Sequence, residues 1–171
     1  IIPGFALDLR NGWDFSVESK RKEARAKFDK EKPMFLIGCP PCTAFCSWQS
    51  LSEQRTPKEV VEEEKRAAKE HMKFVCELYV AQHQAGRYFI HEHPEHATSW
   101  NLDCVAQVQR LQHVSTTVCD QCQYGQETDE GEPIKKGTKW LSNSAYVLKA
   151  LSQRCSGREG RCSREAGGKH K

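Results

Sequence analysis

The sequence predicts an α/β fold, Rossmann-like, with a mostly parallel sheet flanked by helices and an irregular basic C-terminal tail. Three observations lead there. Short apolar runs bounded by Gly and Pro alternate along the chain with segments of helical periodicity, the order that builds parallel sheets with right-handed crossovers. The run Met34-Phe35-Leu36-Ile37 is uninterrupted, as expected of a strand covered on both faces. After Thr56 a long amphipathic segment separates that run from the next strand, Arg87 to His91.

The elements follow in order. Phe5 to Leu9 is a short apolar run between Gly4 and Arg10-Asn11-Gly12, which suits a buried strand. Glu18 to Lys30 carries Ala24, Ala26 and Phe28 among many charges and is expected as a solvated helix. Met34 to Ile37 follows Pro33 and stops at Gly38. Thr56-Pro57-Lys58-Glu59 has the form of a helix start, with Thr as N-cap, Pro at the first helical position and Glu three residues after the cap. Val60, Val61, Ala67, Ala68, Met72, Val75, Leu78 and Tyr79 then recur at spacings of three and four, and Gly86 is placed to end the helix. A helix over Trp100 to Leu111, a strand over Val114 to Cys119, a brief strand over Lys139 to Leu141 and a short helix over Ala145 to Leu151 complete the set. The division expected is an α/β domain over 1–152, incomplete at its N-terminus, and a Cys/Gly/Arg-rich tail over 153–171.

Composition narrows the function classes. Of 171 residues only 37% are hydrophobic and 29% are charged, so the core is thin or part of the chain lies outside it. No apolar run reaches the ~18–20 residues of a membrane span. Ile1-Ile2-Pro3-Gly4 lacks an initiator Met and a basic leader, and reads as a cut from a longer polypeptide. The net charge is +3. From Arg154 to Lys171 there are six Lys or Arg against Glu159 and Glu165, so the tail carries more than the whole surplus. Nine cysteines, an odd number without a secretory signal, read as mostly reduced thiols of an intracellular protein, nuclear if eukaryotic.

In open α/β sheets, catalytic groups gather beyond the carboxyl ends of the strands. Two segments lie there: Gly38-Cys39-Pro40-Pro41-Cys42-Thr43-Ala44-Phe45-Cys46, and Ile90-His91-Glu92-His93-Pro94. Cys42 follows two prolines in a stiff loop that suits a nucleophilic thiolate. The competing reading is that Cys39, Cys42 and Cys46 are small buried residues, or that Cys39 and Cys42 form half of a zinc site. Glu92 could donate a proton to a ring nitrogen if burial raised its pKa. His-Glu-His also suggests a metal, but in a strand His91 and His93 share one face and Glu92 points the other way.

These segments resemble the DNA (cytosine-5) methyltransferase family, in the divergent versions of phage and mobile elements. Pro41-Cys42-Thr43-Ala44-Phe45 is similar to the family's Pro-Cys nucleophile loop, and the Glu and Pro of Phe89-Ile90-His91-Glu92-His93-Pro94 to its Glu-Asn-Val/Pro strand end. Cys122-Gln123-Tyr124-Gly125, continuing through Pro133, Lys135-Lys136, Thr138 and Asn143, is similar to the family's Tyr-Gly region. The resemblance implies a Cys42 thiolate that adds to carbon 6 of a flipped-out cytosine, a Glu92 that protonates ring nitrogen 3, and S-adenosylmethionine as methyl donor, with Asp8 and Pro40 toward it. It also implies DNA as partner, with Lys135, Lys136, Arg158 and Arg161 on phosphates. There is no Gly-rich strand-to-helix turn for the donor, and Lys135 and Lys136 stand where the family has arginines.

The competing function class is a catalytically inactive nucleic-acid-binding or zinc-stabilised module of a mobile-element polyprotein. Cys39-x2-Cys42 and Cys119-x2-Cys122 form two ligand-like pairs about 77 residues apart, against ~15–20 in a zinc ribbon. Cys155, Cys162 and His170 make a looser zinc set, one ligand short unless His113 or Cys119 joins. No metal ligand is assigned from sequence, and a solvated tail with incidental cysteines is the simpler expectation.

Overall fold

The computed structural model describes residues 4–46 and 56–171. Four helices, α1 (Glu18–Glu31), α2 (Lys58–Gln84), α3 (Asp103–Gln109) and α4 (Ala145–Ala150), accompany a four-stranded sheet of β1 (Phe35–Gly38), β2 (Tyr88–Pro94), β3 (Ser115–Asp120) and β4 (Gly137–Ser142) among the described residues. The strand order is β1-β2-β4-β3. β1 and β2 run parallel, with Gly38 beside His91, while β4 is antiparallel to both β2 and β3. The sheet is therefore mixed, not mostly parallel. Between β3 and β4 lie only a 3-10 turn (Gln121–Tyr124) and a loop. Without a crossover helix, the chain returns antiparallel.

The central βαβ unit forms as its periodicity dictates. In α2, Val61, Met72, Val75, Tyr79 and Gln82 line the buried stripe, and Tyr79 stacks on Phe89 with ring centroids 4.8 Å apart. Gln82 is fully buried and fully bonded. Its amide donates to the carbonyls of Pro33 (2.7 Å) and Tyr88 (3.0 Å) and its oxygen accepts from Arg87 Nε (2.8 Å), which ties the starts of β1 and β2 to the end of α2. Asn143 closes the other side of β2, accepting from the Phe89 N–H (3.0 Å) and donating to the Arg87 carbonyl (2.8 Å).

Several expectations are corrected. Phe5 to Leu9 is not a strand among the described residues: Asp8 and Asn11 form a reciprocal cap on a 3-10 turn (Leu9–Asn11), and this local bonding replaces ladder pairing. β1 is not covered on both faces. It is an edge strand paired to β2, and Ile37 and Met34 are 66% and 67% exposed. Pro57, not Thr56, occupies the cap position of α2. The helix expected over Trp100 to Leu111 divides into a 3-10 turn (Thr98–Asn101) and α3, because Leu102 is extended.

The tail is not separate from the body. The Asp120 N–H donates to the Gln153 carbonyl (3.0 Å), the Lys171 N–H donates to the Pro133 carbonyl (3.1 Å), and Arg161 and Lys169 form an isolated antiparallel bridge. A second small cluster of buried side chains, Cys122, Cys155 and Cys162, lies apart from the main core built on α2 and β2.

Candidate active site and metal centre

Alternation along β2 sorts its side chains onto two faces. Phe89, His91 and His93 turn toward α2. There His91 Nδ1 and the Tyr79 hydroxyl share a hydrogen bond (3.0 Å), and the rings of His91 and His93 stack 5.1 Å apart. Burial holds His91 down to about 3, so it is neutral at physiological pH, and its Nε2 is buried without a hydrogen-bond partner among the described residues. Glu92 turns to the other face, beside Trp140 of β4. The two histidines and the carboxylate therefore do not converge on one metal, as the pleat requires.

The Pro-Cys loop leaves β1 and is pinned to β2. His93 Nε2 donates to the Pro40 carbonyl (3.0 Å), which leaves Nδ1 to accept from the Ser99 hydroxyl (2.7 Å). Phe45 packs against the His93 ring, with centroids 6.0 Å apart, and its carbonyl accepts from the Thr98 hydroxyl (3.3 Å). Cys42 is half-buried at the start of the 3-10 turn Thr43–Phe45. Glu92 is half-buried, with Oε1 shielded from solvent and unpaired among the described residues. Burial raises its pKa, and the Lys136 cation pulls it partly back. Cys39, one step beyond the Gly38–His91 pair, belongs to the same electrostatic group: local burial and the Glu92 charge push its thiol up while Lys136 opposes them. Lys136, expected only as a phosphate contact, thus also faces the acid.

Of the other expected site residues, Asp8 sits at no strand end. Its carboxylate accepts from the Arg10 N–H (2.8 Å) as an exposed turn cap. Pro40 is buried with its carbonyl committed to His93. Lys135 is exposed and lines an open pocket of about 380 Å³ with Glu95, Asp120 and Arg154. Arg158 and Arg161 are exposed on the tail.

The tail cysteines do form a set. The ligand atoms of Cys122, Cys155, Cys162 and His170 all lie within 4.8 Å of one another, and this cluster could hold a metal ion. The sulfurs of Cys155 and Cys162 are 3.9 Å apart, and Cys155 Sγ is 3.5 Å from His170 Nε2. A tetrahedron with metal–sulfur bonds of ~2.3 Å and metal–nitrogen bonds of ~2.0 Å has edges of roughly 3.5–3.8 Å. Donors surround the sulfurs as they do thiolates. The Ser163 N–H and hydroxyl point at Cys155 (3.4 and 3.5 Å), the Arg164 N–H at Cys162 (3.5 Å), and the Gln123 amide at Cys162 and Cys122 (3.4 and 3.6 Å). Burial opposes ionisation of Cys155, but the Ser163 donors outweigh it and bring the thiol down to about 6. Gly157 is obligatory here, because a Cβ would overlap the Arg161 carbonyl.

The fourth ligand is Cys122, not His113 or Cys119. Cys119 lies within β3 and accepts from the Trp140 indole (3.1 Å), and His113 precedes β3 at the end opposite to Cys122. The signal available in the sequence was the turn directly after a strand, closed by Gly125 in the left-handed conformation, which frees Cys122 from the sheet. Comparison with protein-family models, curated proteins and solved structures returns no match. Among the described residues no helix is long and apolar enough to cross a membrane.

Proposed function

We propose that this chain is a DNA cytosine-5 methyltransferase-like domain, Rossmann-like in its βαβ unit, intracellular and, in a eukaryote, nuclear. The observation that carries the reading is Glu92: a carboxyl with a raised pKa and an unpaired, shielded oxygen, on the strand to which the Pro-Cys loop is pinned. A carboxyl that holds its proton more tightly than a solvated one suits donation to a ring nitrogen of a base taken out of the stack. The Cys42 thiolate adds to carbon 6 of cytosine, Glu92 donates its proton to ring nitrogen 3, and the electron density so admitted makes carbon 5 nucleophilic. Lys135, Lys136 and the tail arginines hold phosphates.

S-adenosylmethionine is the methyl donor that the resemblance implies, but Asp8 and Pro40 do not fit a donor site. One carboxylate caps its own turn and the other residue's carbonyl is spent on His93. No step is therefore routed through the donor, and the residues present account for base activation alone. In the four-ligand cluster the three sulfurs, one imidazole and the Cys155–Cys162 and Cys155–His170 separations, both near a tetrahedral edge, favour zinc, in a closed structural site without an open position. The zinc centre by itself supports a second reading, an inactive zinc-stabilised nucleic-acid-binding module of a mobile-element polyprotein.

Base activation can be tested without the donor. Addition of Cys42 at carbon 6, protonation of carbon 5 by solvent, loss of the original carbon-5 proton and release of the thiolate exchange that hydrogen. In deuterated water, DNA incubated with the protein is expected to gain deuterium at cytosine carbon 5, and Cys42→Ser to abolish the gain. Absence of exchange in the wild-type chain rejects the enzymatic reading in favour of the binding module. A covalent adduct with 5-fluorocytosine DNA and S-adenosylmethionine would extend it to methyl transfer.

A further inference from the structure

The tail holds six cations, and the structure divides them in half. Three are paired to the body: Arg154 with Asp120 and Glu95 (both 3.2 Å), Arg164 with Glu127 (2.7 Å) and Lys171 with Glu132 (3.6 Å). The other three, Arg158, Arg161 and Lys169, are exposed and have no carboxylate within ion-pair distance among the described residues. They are also neighbours. Arg161 and Lys169 face each other across the isolated bridge, and the Arg158 carbonyl accepts from the Arg161 N–H (2.9 Å), so all three crown one short hairpin. Arg161 and Lys169 line an open hollow of about 630 Å³ together with Glu159.

That hairpin has almost no core of its own. Cys155 precedes it, Cys162 follows Arg161 directly, and His170 follows Lys169 directly, so three of the four cluster ligands flank its arms. Nothing apolar in it could offset the cost of ordering some fifteen residues, whereas a closed zinc site contributes folding free energy outright. The charge is then delivered where it is needed. With the tail at +4 from six cations and two acids, the remainder of a +3 chain is net negative by one, and the hairpin carries the tail cations left outside ion pairs among the described residues.

We infer that zinc bound by Cys122, Cys155, Cys162 and His170 builds a phosphate-binding finger, in which Arg158, Arg161 and Lys169 grip the DNA backbone. The finger rests on the reading of DNA as substrate and adds to it the element that holds the duplex while a base is taken out. It contacts phosphates and not base edges, because its cations protrude from a short exposed turn that has no helix and only a single bridge pair, too little to enter a groove. Glu159 opposes it from the same hollow.

The test is the salt dependence of binding to a 20-base-pair duplex, followed by fluorescence anisotropy on the full zinc-loaded chain, with bound metal counted by mass spectrometry. Each phosphate contact contributes about 0.9 to the slope of log K against log salt. The triple variant Arg158→Gln, Arg161→Gln, Lys169→Gln leaves every ligand in place. It is expected to keep one zinc per chain and to flatten the slope by about 2.7. Cys162→Ser is expected to lose the zinc and show the same flattening, His170→Cys to keep both, and Glu159→Gln to tighten binding. An unchanged slope in the triple variant overturns the finger, as does a chain that purifies without stoichiometric zinc or keeps its full slope after zinc is stripped. Should Cys162→Ser fail to fold, the triple variant still decides. Deuterium exchange at carbon 5 is read separately, so a finger without exchange rejects the enzyme and keeps the DNA contact, and exchange with an unaltered slope does the reverse.

Discussion

Glu92 combines two properties that ordinary surface carboxylates lack: one oxygen is sealed from water without a partner among the described residues, and its pKa is raised by burial against the partial opposition of Lys136. A carboxyl whose folded pKa lies above the usual 4.5 binds its proton more tightly in the native state. It thus contributes stability that is fully present below that value and is lost as pH rises through the folded pKa. Glu92→Gln removes the loss and keeps the shape. The expected outcome is a thermal midpoint that rises relative to wild type as pH climbs from about 4.5 into the neutral range, with no relative gain below it; parallel midpoint curves would show that the acid is freely solvated. The same substitution is expected to abolish carbon-5 exchange, since the amide can donate a hydrogen bond to the ring nitrogen but cannot transfer a proton to it. Cys42 has a simpler position, half-buried at a turn whose carbonyl accepts from the Phe45 N–H (2.9 Å).

Between elements, the decisive contact is α2 against β2. Tyr79 stacks on Phe89, meets His91 edge-on and bonds its Nδ1, with all three side chains buried. It also lies so close to β1 that a Cβ at Gly38 would overlap its hydroxyl. The glycine that ends β1 is therefore a packing requirement of the helix above it. Tyr79→Phe keeps the stacking but leaves His91 with neither ring nitrogen bonded. The expected cost is about 1–3 kcal/mol, read from urea denaturation; an unchanged midpoint would mean that the hydroxyl contributes nothing to this interface. The helix itself was legible, because Val61, Met72, Val75 and Tyr79 repeat at helical spacing. The covering of β1 was not. Four apolar residues in a row describe a strand equally well at an edge or at the centre, and only the pairing partners decide.

Across the whole molecule, the described residues form two centres of order, an apolar core on α2 and β2 and a thiol–imidazole cluster that joins the tail to the 121–136 loop. Their stabilities are expected to separate. With zinc bound in the cluster as proposed, chelation should strip amide-exchange protection from 121–136 and 153–171 while α2 and β2 keep theirs; loss of protection everywhere would show that the proposed metal site supports the entire fold. The local pattern of the chain, read alone, determined most of the elements and the place of the Pro-Cys loop just beyond β1, because periodicity and Gly or Pro punctuation act over a few residues; Glu92, expected at a strand end, lies within β2, which pairs with β4 as far as Pro94. It also determined that His91 and His93 oppose Glu92, since the pleat alternates regardless of context. Only the tertiary structure decided that β4 lies antiparallel to β2 and that Cys122 completes the set of Cys155, Cys162 and His170. Those outcomes depend on which segments meet across 30 residues or more of chain, and spacing along a sequence does not encode distance in space once the backbone has turned.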